Sequence, residues 1–170
     1  GDAAYTEGLD LTGTGAATLH VNTATVNAAA HKGPLTLKAN AATPTTVTAQ
    51  GVAIQTITGG SKNDVVDLTV AGGTVTHVLD GGAGTDTLSF TEAGARDISA
   101  AEMGSVKNIE VISIGSGTGA AATVIGLGDA FFSNNNDAVS IIANPTADTA
   151  ATTKIDGSSV SSGAITLTLK

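Results

Sequence analysis

The sequence contains no cysteine and almost no aromatic residues. Among its 170 residues there is no Trp, one Tyr and three Phe, so aromatics make up 2% of the chain. Without cysteine there is neither a disulfide framework nor thiolate chemistry. With so few aromatics, a globular enzyme built around a large aromatic-lined pocket is not expected.

Basic residues are also scarce. Seven Lys and Arg stand against fifteen Asp and Glu, which leaves a formal net charge of -8. A nucleic acid partner is excluded because a polyanion would be repelled and no basic stripe offsets the repulsion. The acidic residues are 11 Asp and only 4 Glu, and Asp suits turns and oxygen-ligand metal sites. Such a chain suits a cation-rich medium outside the cell.

Long apolar runs are missing as well. No stretch of about 18 apolar residues occurs, so no transmembrane segment is expected. No basic region followed by an apolar one opens the chain, and residue 1 is Gly, which indicates a processed subunit or a piece of a longer protein.

The residues that are abundant favour β-structure. The chain has 29 Ala, 27 Thr and 22 Gly, and its β-branched residues form short runs separated by Gly, Asn or Asp. A spacing of roughly ten residues between runs favours an all-β solenoid, sandwich or barrel. Eleven strands are predicted, at residues 18–25, 34–39, 45–49, 52–58, 65–70, 74–79, 87–90, 109–114, 123–127, 138–143 and 164–169.

Two short helical turns are predicted between these strands. Ser99 and Glu102 have the spacing of a capping box, with Ser99 at the N-cap and the turn running to Val106. Residues 128–133 form the second candidate, which ends at an Asn-Asn-Asn-Asp run. Both are interpreted as surface connections.

One motif in the chain carries specific chemistry. Residues 81–89, GGAGTDTLS, match the calcium-binding nonapeptide G-G-x-G-x-D-x-U-x at every specified position. The glycines permit positive φ, so that carbonyl oxygens turn towards one point, and Asp86 adds a carboxylate there. Leu88 begins a strand. Calcium requires six to eight oxygen ligands, so a second stacked turn has to contribute.

A degraded second copy precedes it. Residues 59–67, GGSKNDVVD, keep the paired Gly, the Asp and the apolar position, but Lys62 replaces the third Gly. Asp64 and Asp86 are 22 residues apart, a spacing that allows the two loops to stack and share one ion. Asp67 and Asp80 are further carboxylates within reach. The alternative is that both Gly-Gly pairs are plain turns between strands.

The segments 58–68, 79–88 and 106–112 together resemble RTX-type bacterial surface-layer proteins, in which such loops precede an apolar segment containing Ile-Glu. The resemblance implies type I secretion, calcium-dependent ordering of a β-helix, and lateral assembly. It implies carboxylate ligands from Asp64 and Asp86 and backbone oxygens from Gly59, Gly82 and Gly84. The predicted Ca²⁺ site comprises Gly59, Asp64, Asp80, Gly82, Gly84 and Asp86. Family members carry several perfect repeats and are much longer, so this chain would be a fragment or a reduced version.

The predicted fold is all-β, a parallel β-helix or β-roll-like solenoid with short connecting helical turns. Three sections are distinguished, all of which can belong to one domain: a Thr/Ala-rich β section at 1–57, an RTX-like calcium-binding section at 58–115 and a C-terminal β section at 116–170.

The predicted function is a secreted, non-enzymatic surface-layer or filament subunit that forms homo-oligomers. An outer-surface polysaccharide is a further candidate partner. The alternatives are a binding module of a large RTX adhesin and the non-catalytic tail of a secreted hydrolase.

Other chemistry finds little support. His20, His31 and His77 belong to no metal-binding pattern, and neither a G-x-S-x-G elbow nor a phosphate loop is present. Three glutamates, Glu92, Glu102 and Glu110, are interpreted as surface or cap residues rather than a glycosidase pair. Scattered Thr-x-Thr pairs are interpreted as Thr ladders within the β-structure rather than an ice-binding or adhesive array.

Overall fold

The computed structural model describes residues 8–21, 25–39, 44–49, 55–68, 78–90, 96–115, 123–143 and 153–169. Most of these residues are in strands, which are β1 (Leu9–Asp10), β2 (Ala17–Val21), β3 (Thr25–Ala28), β4 (Leu35–Ala39), β5 (Thr46–Ala49), β6 (Gln55–Thr58), β7 (Val65–Leu68), β8 (Val78–Asp80), β9 (Thr87–Phe90), β10 (Arg96–Ile98), β11 (Val106–Lys107), β12 (Val111–Ile114), β13 (Thr123–Gly128), β14 (Ala138–Ala143), β15 (Thr153–Ser159) and β16 (Ala164–Leu169). Two short helices, α1 (Ala100–Met103) and α2 (Asp129–Asn134), lie between strands. The predicted all-β class is confirmed.

In the described residues the strands form three sheets, and every strand pair in them is parallel. An eight-stranded sheet has the order β1-β3-β5-β7-β9-β12-β14-β16 and a five-stranded sheet the order β11-β8-β6-β4-β2. The third sheet has the order β10-β13-β15. Up to β9 the chain alternates between the first two sheets, so each strand from β1 to β7 pairs with the strand two places later in the sequence.

An apolar row crosses the eight-stranded sheet in register. Val47 pairs with Val66, Val66 with Leu88, and Leu88 with Ile112, and all four side chains are buried. Residues on either side of each member point to the opposite face, because side chains alternate along a strand. In β5, β7 and β9 the partly buried positions that alternate with this row carry Thr, Val65 and Asp67. The interpretation of the Thr-x-Thr pairs as Thr ladders stays a prediction.

Both helical predictions are confirmed in position, and one end is corrected. Ser99 caps α1, and the Glu102 side chain accepts from the Ser99 N–H, which completes the capping box. The helix ends at Met103 rather than at Val106, because Val106 pairs with Leu79 as a strand residue. The interpretation of the second turn as a surface connection is wrong, because α2 places Phe131 and Phe132 in the core, with their rings edge to face.

The strand predictions need corrections. The predicted strand 18–25 is two strands, β2 and β3, which belong to different sheets. Four strands, β1, β10, β11 and β15, were not predicted, because two are only two residues long and the others contain charged residues or Gly. Parts of the predictions at 52–58, 65–70 and 74–79 lie outside the described residues.

Strands from all three predicted sections enter the eight-stranded sheet, and the division into sections stays a prediction. Neither described helix is long and apolar enough to cross a membrane.

Candidate functional site

The two predicted Gly-Gly loops lie one on the other. Residues 59–64 connect β6 to β7, and residues 81–86 connect β8 to β9. Two hydrogen bonds join the loops: the Ala83 N–H donates to the Gly60 carbonyl at 3.0 Å, and the Thr85 N–H donates to Oδ1 of Asn63, the equivalent residue of the other loop, at 3.0 Å. The loops stack because the strands on both sides of them pair in register.

Close backbone contact explains the paired glycines. A Cβ atom on Gly59 would collide with the Gly81 carbonyl oxygen, and one on Gly81 would collide with the Asn108 carbonyl oxygen. Gly82 has a φ of 95° and Gly84 a φ of 137°, a region that favours glycine. Gly84 lies over Lys62, at which the upstream loop departs from the motif.

Three acidic residues lie next to one another across the eight-stranded sheet, each just before one of its strands. Asp64, Asp86 and Glu110 each immediately precede a strand, β7, β9 and β12 respectively, and we call these three residues the carboxylate ladder. Their spacings of 22 and 24 residues match the pairing of those strands.

Each carboxylate in the ladder accepts a backbone N–H from the equivalent position of the preceding loop. Asp64 Oδ1 accepts from Thr45 at 2.6 Å, Asp86 Oδ1 from Asp64 at 2.7 Å, and Glu110 Oε2 from Asp86 at 2.8 Å. Asp64 Oδ2 also accepts from Gly60, at 2.5 Å. A short bond of this charge-assisted kind is about twice as strong as a neutral one. The ladder therefore holds adjacent loops together even without a metal.

Asp86 has one oxygen that this ladder does not use. Its side chain is 1% exposed, and Oδ2 is buried with no hydrogen-bond partner. Burial first, and then the charges of Asp64, Glu110 and Asp80, raise the pKa of Asp86 to about 6, while the hydrogen bond from the Asp64 N–H opposes this rise. A buried carboxylate with an unpaired oxygen is costly, so this oxygen favours a proton or a cation.

Asp80 lies at the edge of the same site. Its Oδ1 accepts from the Gly82 N–H at 3.1 Å and from Asn108 Nδ2 at 2.6 Å. Asn108 itself has a φ of 52° and occupies the position above Gly81, so the third loop departs from the Gly-Gly pattern. Asp80 therefore stabilises the loop turn and adds negative charge near Asp86.

The structure brings all six predicted ligand residues into the two stacked loops or next to them. In the part of the chain that the structure describes, however, no three His, Asp or Glu side chains converge on one point as a metal site would require. Both oxygens of Asp64 already accept N–H groups. One feature of these residues does fit a cation: Asp86 Oδ2 has no hydrogen-bond partner and lies near further carboxylates. Asp67 lies on the outer face of β7, outside the ladder.

Two residues of the site were not assigned to it from the sequence. Glu110 was interpreted as a surface or cap residue, and it is the third member of the ladder. Asn108 was not singled out. Two signals in the sequence could have identified Glu110. It follows Asp86 by 24 residues, close to the 22 residues that separate Asp64 from Asp86, and it lies in the next predicted apolar run.

Outside the loops, His31 is buried. It is 3% exposed, and neither ring nitrogen has a hydrogen-bond partner in the described structure. Among the described residues it belongs to no cluster of three or more His, Asp or Glu side chains that could hold a metal ion.

Comparison with known proteins gives no assignment: no family model matches the chain, and neither the curated proteins nor the solved structures contain a match.

Proposed function

We propose that this chain is a secreted structural protein of the bacterial cell surface, a surface-layer or filament subunit with a β-solenoid fold. Its folding and self-assembly would be promoted by calcium at the stacked Gly-Gly loops. The proposal includes the RTX-type relationship, type I secretion and a non-enzymatic role. An outer-surface polysaccharide is the proposed attachment partner.

The solenoid part of the proposal is supported by strand order. The chain alternates between two parallel sheets, and apolar side chains stack along each sheet. In a repeat structure of this kind each coil contacts only its neighbours, and coils propagate in one direction. Such a body suits a subunit of an extended assembly.

The single observation that carries the calcium proposal is Asp86 Oδ2, buried and unpaired among Asp64, Asp80 and Glu110. A divalent cation there would neutralise the negative charges of carboxylates that the ladder holds close together. Asp86, Asp80 and the backbone oxygens of Gly59, Gly82 and Gly84 are the proposed ligands, with Asp64 joining them if its N–H donors are exchanged for the ion. Bound calcium would supply positive charge and strengthen the contact between the two stacked loops.

Calcium titration followed by thermal unfolding tests this site. Extracellular calcium sites typically have a Kd of about 10⁻⁴–10⁻³ M. Free calcium at ten times the Kd would raise the free energy of unfolding by about 1.4 kcal/mol. We therefore expect a rise in Tm of about 3–6 °C. Asp86→Asn should remove this rise, and Asp10→Asn, which changes an exposed acid on β1, should retain it. An equal calcium response in both variants would refute the site.

Electron microscopy tests the assembly. Ordered sheets or filaments should form with calcium and disperse with a chelator. Monodisperse particles in both conditions would contradict the structural role and favour a binding module or a tail domain.

A further inference from the structure

A cavity of about 160 Å³ lies on the third sheet, the sheet of β10, β13 and β15. Its walls come from these three strands and from the start of α1, and it opens to solvent. The middle strand, β13, pairs with β10 on one side and with β15 on the other. The cavity therefore lies across a face of the sheet rather than at a free edge.

The alternation of side chains places the cavity on the face that points away from the core. Ile98, Ile125 and Ile155 pair in register, and all three belong to the core or pack against it. Asp97 and Val124, one residue earlier on their strands, pair with each other and therefore point to the opposite face. Both line the cavity.

A glycine and a shift in register complete the walls. A Cβ atom on Gly126 would lie 2.6 Å from the Ala100 N atom, so glycine lets the start of α1 lie against β13. The pairing of β13 with β15 shifts between Gly126 and Gly128. Neighbouring residues of a regular strand point to opposite faces, but at this irregularity Ser158 and Ser159 both line the cavity.

The polar groups of the cavity are carboxylates and hydroxyls. Asp156 accepts from Lys154 Nζ at 2.8 Å and from the Ser158 N–H at 3.0 Å. These bonds, the one from Lys154 foremost, hold the pKa of Asp156 well below its usual range, so this carboxylate is ionised. Asp97 and Ser159 form no hydrogen bond or ion pair with another described residue. A carboxylate and a hydroxyl are thus left for a ligand.

This chemistry selects a neutral ligand with many hydroxyl groups. An anion would be repelled by Asp97 and Asp156, and the Lys154 ammonium is already paired with Asp156. A metal ion is not favoured, because no three His, Asp or Glu side chains converge in the described part of the chain. Carboxylates accept from hydroxyls, and a Ser hydroxyl both donates and accepts, so the available groups match those of a sugar.

The size of the cavity matches one sugar ring. At about 30 Å³ for each water in the liquid, the cavity holds about five water molecules. A hexose ring with its hydroxyl groups can replace a comparable number of oxygen atoms. Pockets for drug-sized ligands measure about 300–1,000 Å³, so a longer oligosaccharide would have to extend from this cavity into solvent.

We propose that this cavity binds one residue of a neutral polysaccharide. Asp97 accepts hydrogen bonds from hydroxyls of the ring, Ser159 exchanges a further hydrogen bond with it, and Val124 contacts its C–H groups. The inference rests on the proposed function, for which it names the site of attachment to the polysaccharide. A single small ring in an open cavity predicts a Kd in the millimolar range.

Amide chemical shifts of the isotope-labelled chain, measured by NMR, test the site. Glucose, galactose, mannose and N-acetylglucosamine are each added in the presence of a chelator. At least one of these sugars should shift the amides of Asp97, Val124, Ser158 and Ser159, and should leave the loop at 59–64 unchanged. No shift with any of them, or shifts spread over other parts of the chain, would overturn the proposal.

Variants then test the role of the free carboxylate. Asp97→Ala should weaken binding of the responding sugar at least about tenfold, because it removes a charged acceptor. Asp10→Ala, which removes an exposed acid on β1, is the matched control and should keep the parent Kd. Thermal unfolding checks that both variants are folded. Equal affinities of the two variants would overturn the proposal.

A titration with calcium chloride alone separates the sugar from a cation. The amides of Asp97 and Ser159 should not shift with calcium, and a shift there without any response to sugars would overturn the proposal. Assembly is scored separately by electron microscopy. A chain that assembles without binding sugar refutes only this site, whereas a chain that binds sugar without assembling refutes only the structural role.

Discussion

The backbone N–H of Asp64 donates to Oδ1 of Asp86, which lies 22 residues later in the chain, at 2.7 Å. This bond joins two loops that begin with the same Gly-Gly pair. It also leaves Asp86 Oδ2 without a partner in a buried position. The same side chain therefore stabilises the stacking of the loops and carries the charge that a cation would neutralise.

The first prediction concerns pH in the absence of calcium. The folded-state pKa of Asp86, about 6, lies above its unfolded value of 3.8. Protonated Asp86 therefore stabilises the fold fully below about pH 4, and this contribution is lost as the pH rises through about 6. Asp86→Asn should equal the parent near pH 4 and exceed its free energy of unfolding by roughly 2 kcal/mol at pH 8. Urea unfolding of both proteins at several pH values measures the difference.

The comparison between parent and variant is necessary because other carboxylates titrate in the opposite direction. Hydrogen bonds from Ser161 lower the pKa of Asp129, and Lys154 lowers that of Asp156, so both stabilise the fold above about pH 4 and lose this effect in acid. They contribute equally to parent and variant. A difference that stays constant across the pH range would contradict the role of Asp86.

The second prediction concerns loop contact. Gly81→Ala should destabilise the protein by about 2–3 kcal/mol, because the added Cβ collides with the Asn108 carbonyl oxygen and has to move backbone. Gly15→Ala is the control, since a Cβ there meets nothing within 4 Å. Thermal unfolding of the two variants measures the contrast. Similar Tm values for both would show that the loops do not approach as described.

The third prediction concerns Asn135, which is 1% exposed. Its Oδ1 accepts from the Ile109 N–H at 2.7 Å, and its Nδ2 donates to the carbonyls of Val106 and Phe131. Asn135→Ala leaves these three backbone groups buried and unpaired, so we expect a loss of about 3 kcal/mol. Chemical unfolding provides the measurement.

Asn27→Ala is the control for Asn135, because it removes one exposed hydrogen bond to the Ala29 N–H. It should cost less than about 1 kcal/mol. If the two asparagine variants lose equal stability, the connection that Asn135 makes between α2 and the loop before β12 is not important.

The fourth prediction concerns His31. Both ring nitrogens are buried without a partner in the described structure. His31→Leu replaces them with an apolar group of similar size, so we expect an increase in stability of about 1 kcal/mol. His20→Leu, at an exposed position of β2, should change stability by less than about 0.5 kcal/mol. A destabilised His31→Leu variant would indicate that the ring has a polar partner.

Features that depend on a few neighbouring residues were predicted correctly. Ser99 and Glu102 identify the start of α1, since a capping box needs only four residues. The GG-x-x-x-D patterns at 59–64 and 81–86 predicted two loops and the strands after them. Alternating apolar residues predicted the buried face of β14, whose Val139, Ile141 and Ala143 are buried. Backbone torsional preference and the two-residue repeat of a strand depend only on neighbouring residues, so a single sequence is enough to predict them.

Features that depend on pairing across the chain were decided by the fold. Within the predicted strand 18–25, Val21 ends β2 and Thr25 begins β3, and the two residues pair in different sheets, which no local pattern requires. Glu110 became a ladder residue only because β12 pairs with β9 in a register that places it beside Asp86. The unpaired state of Asp86 Oδ2 likewise follows from how closely the stacked loops approach. Local sequence sets backbone preference within a few residues, whereas burial and partners arise only when segments about 20 residues apart are packed together.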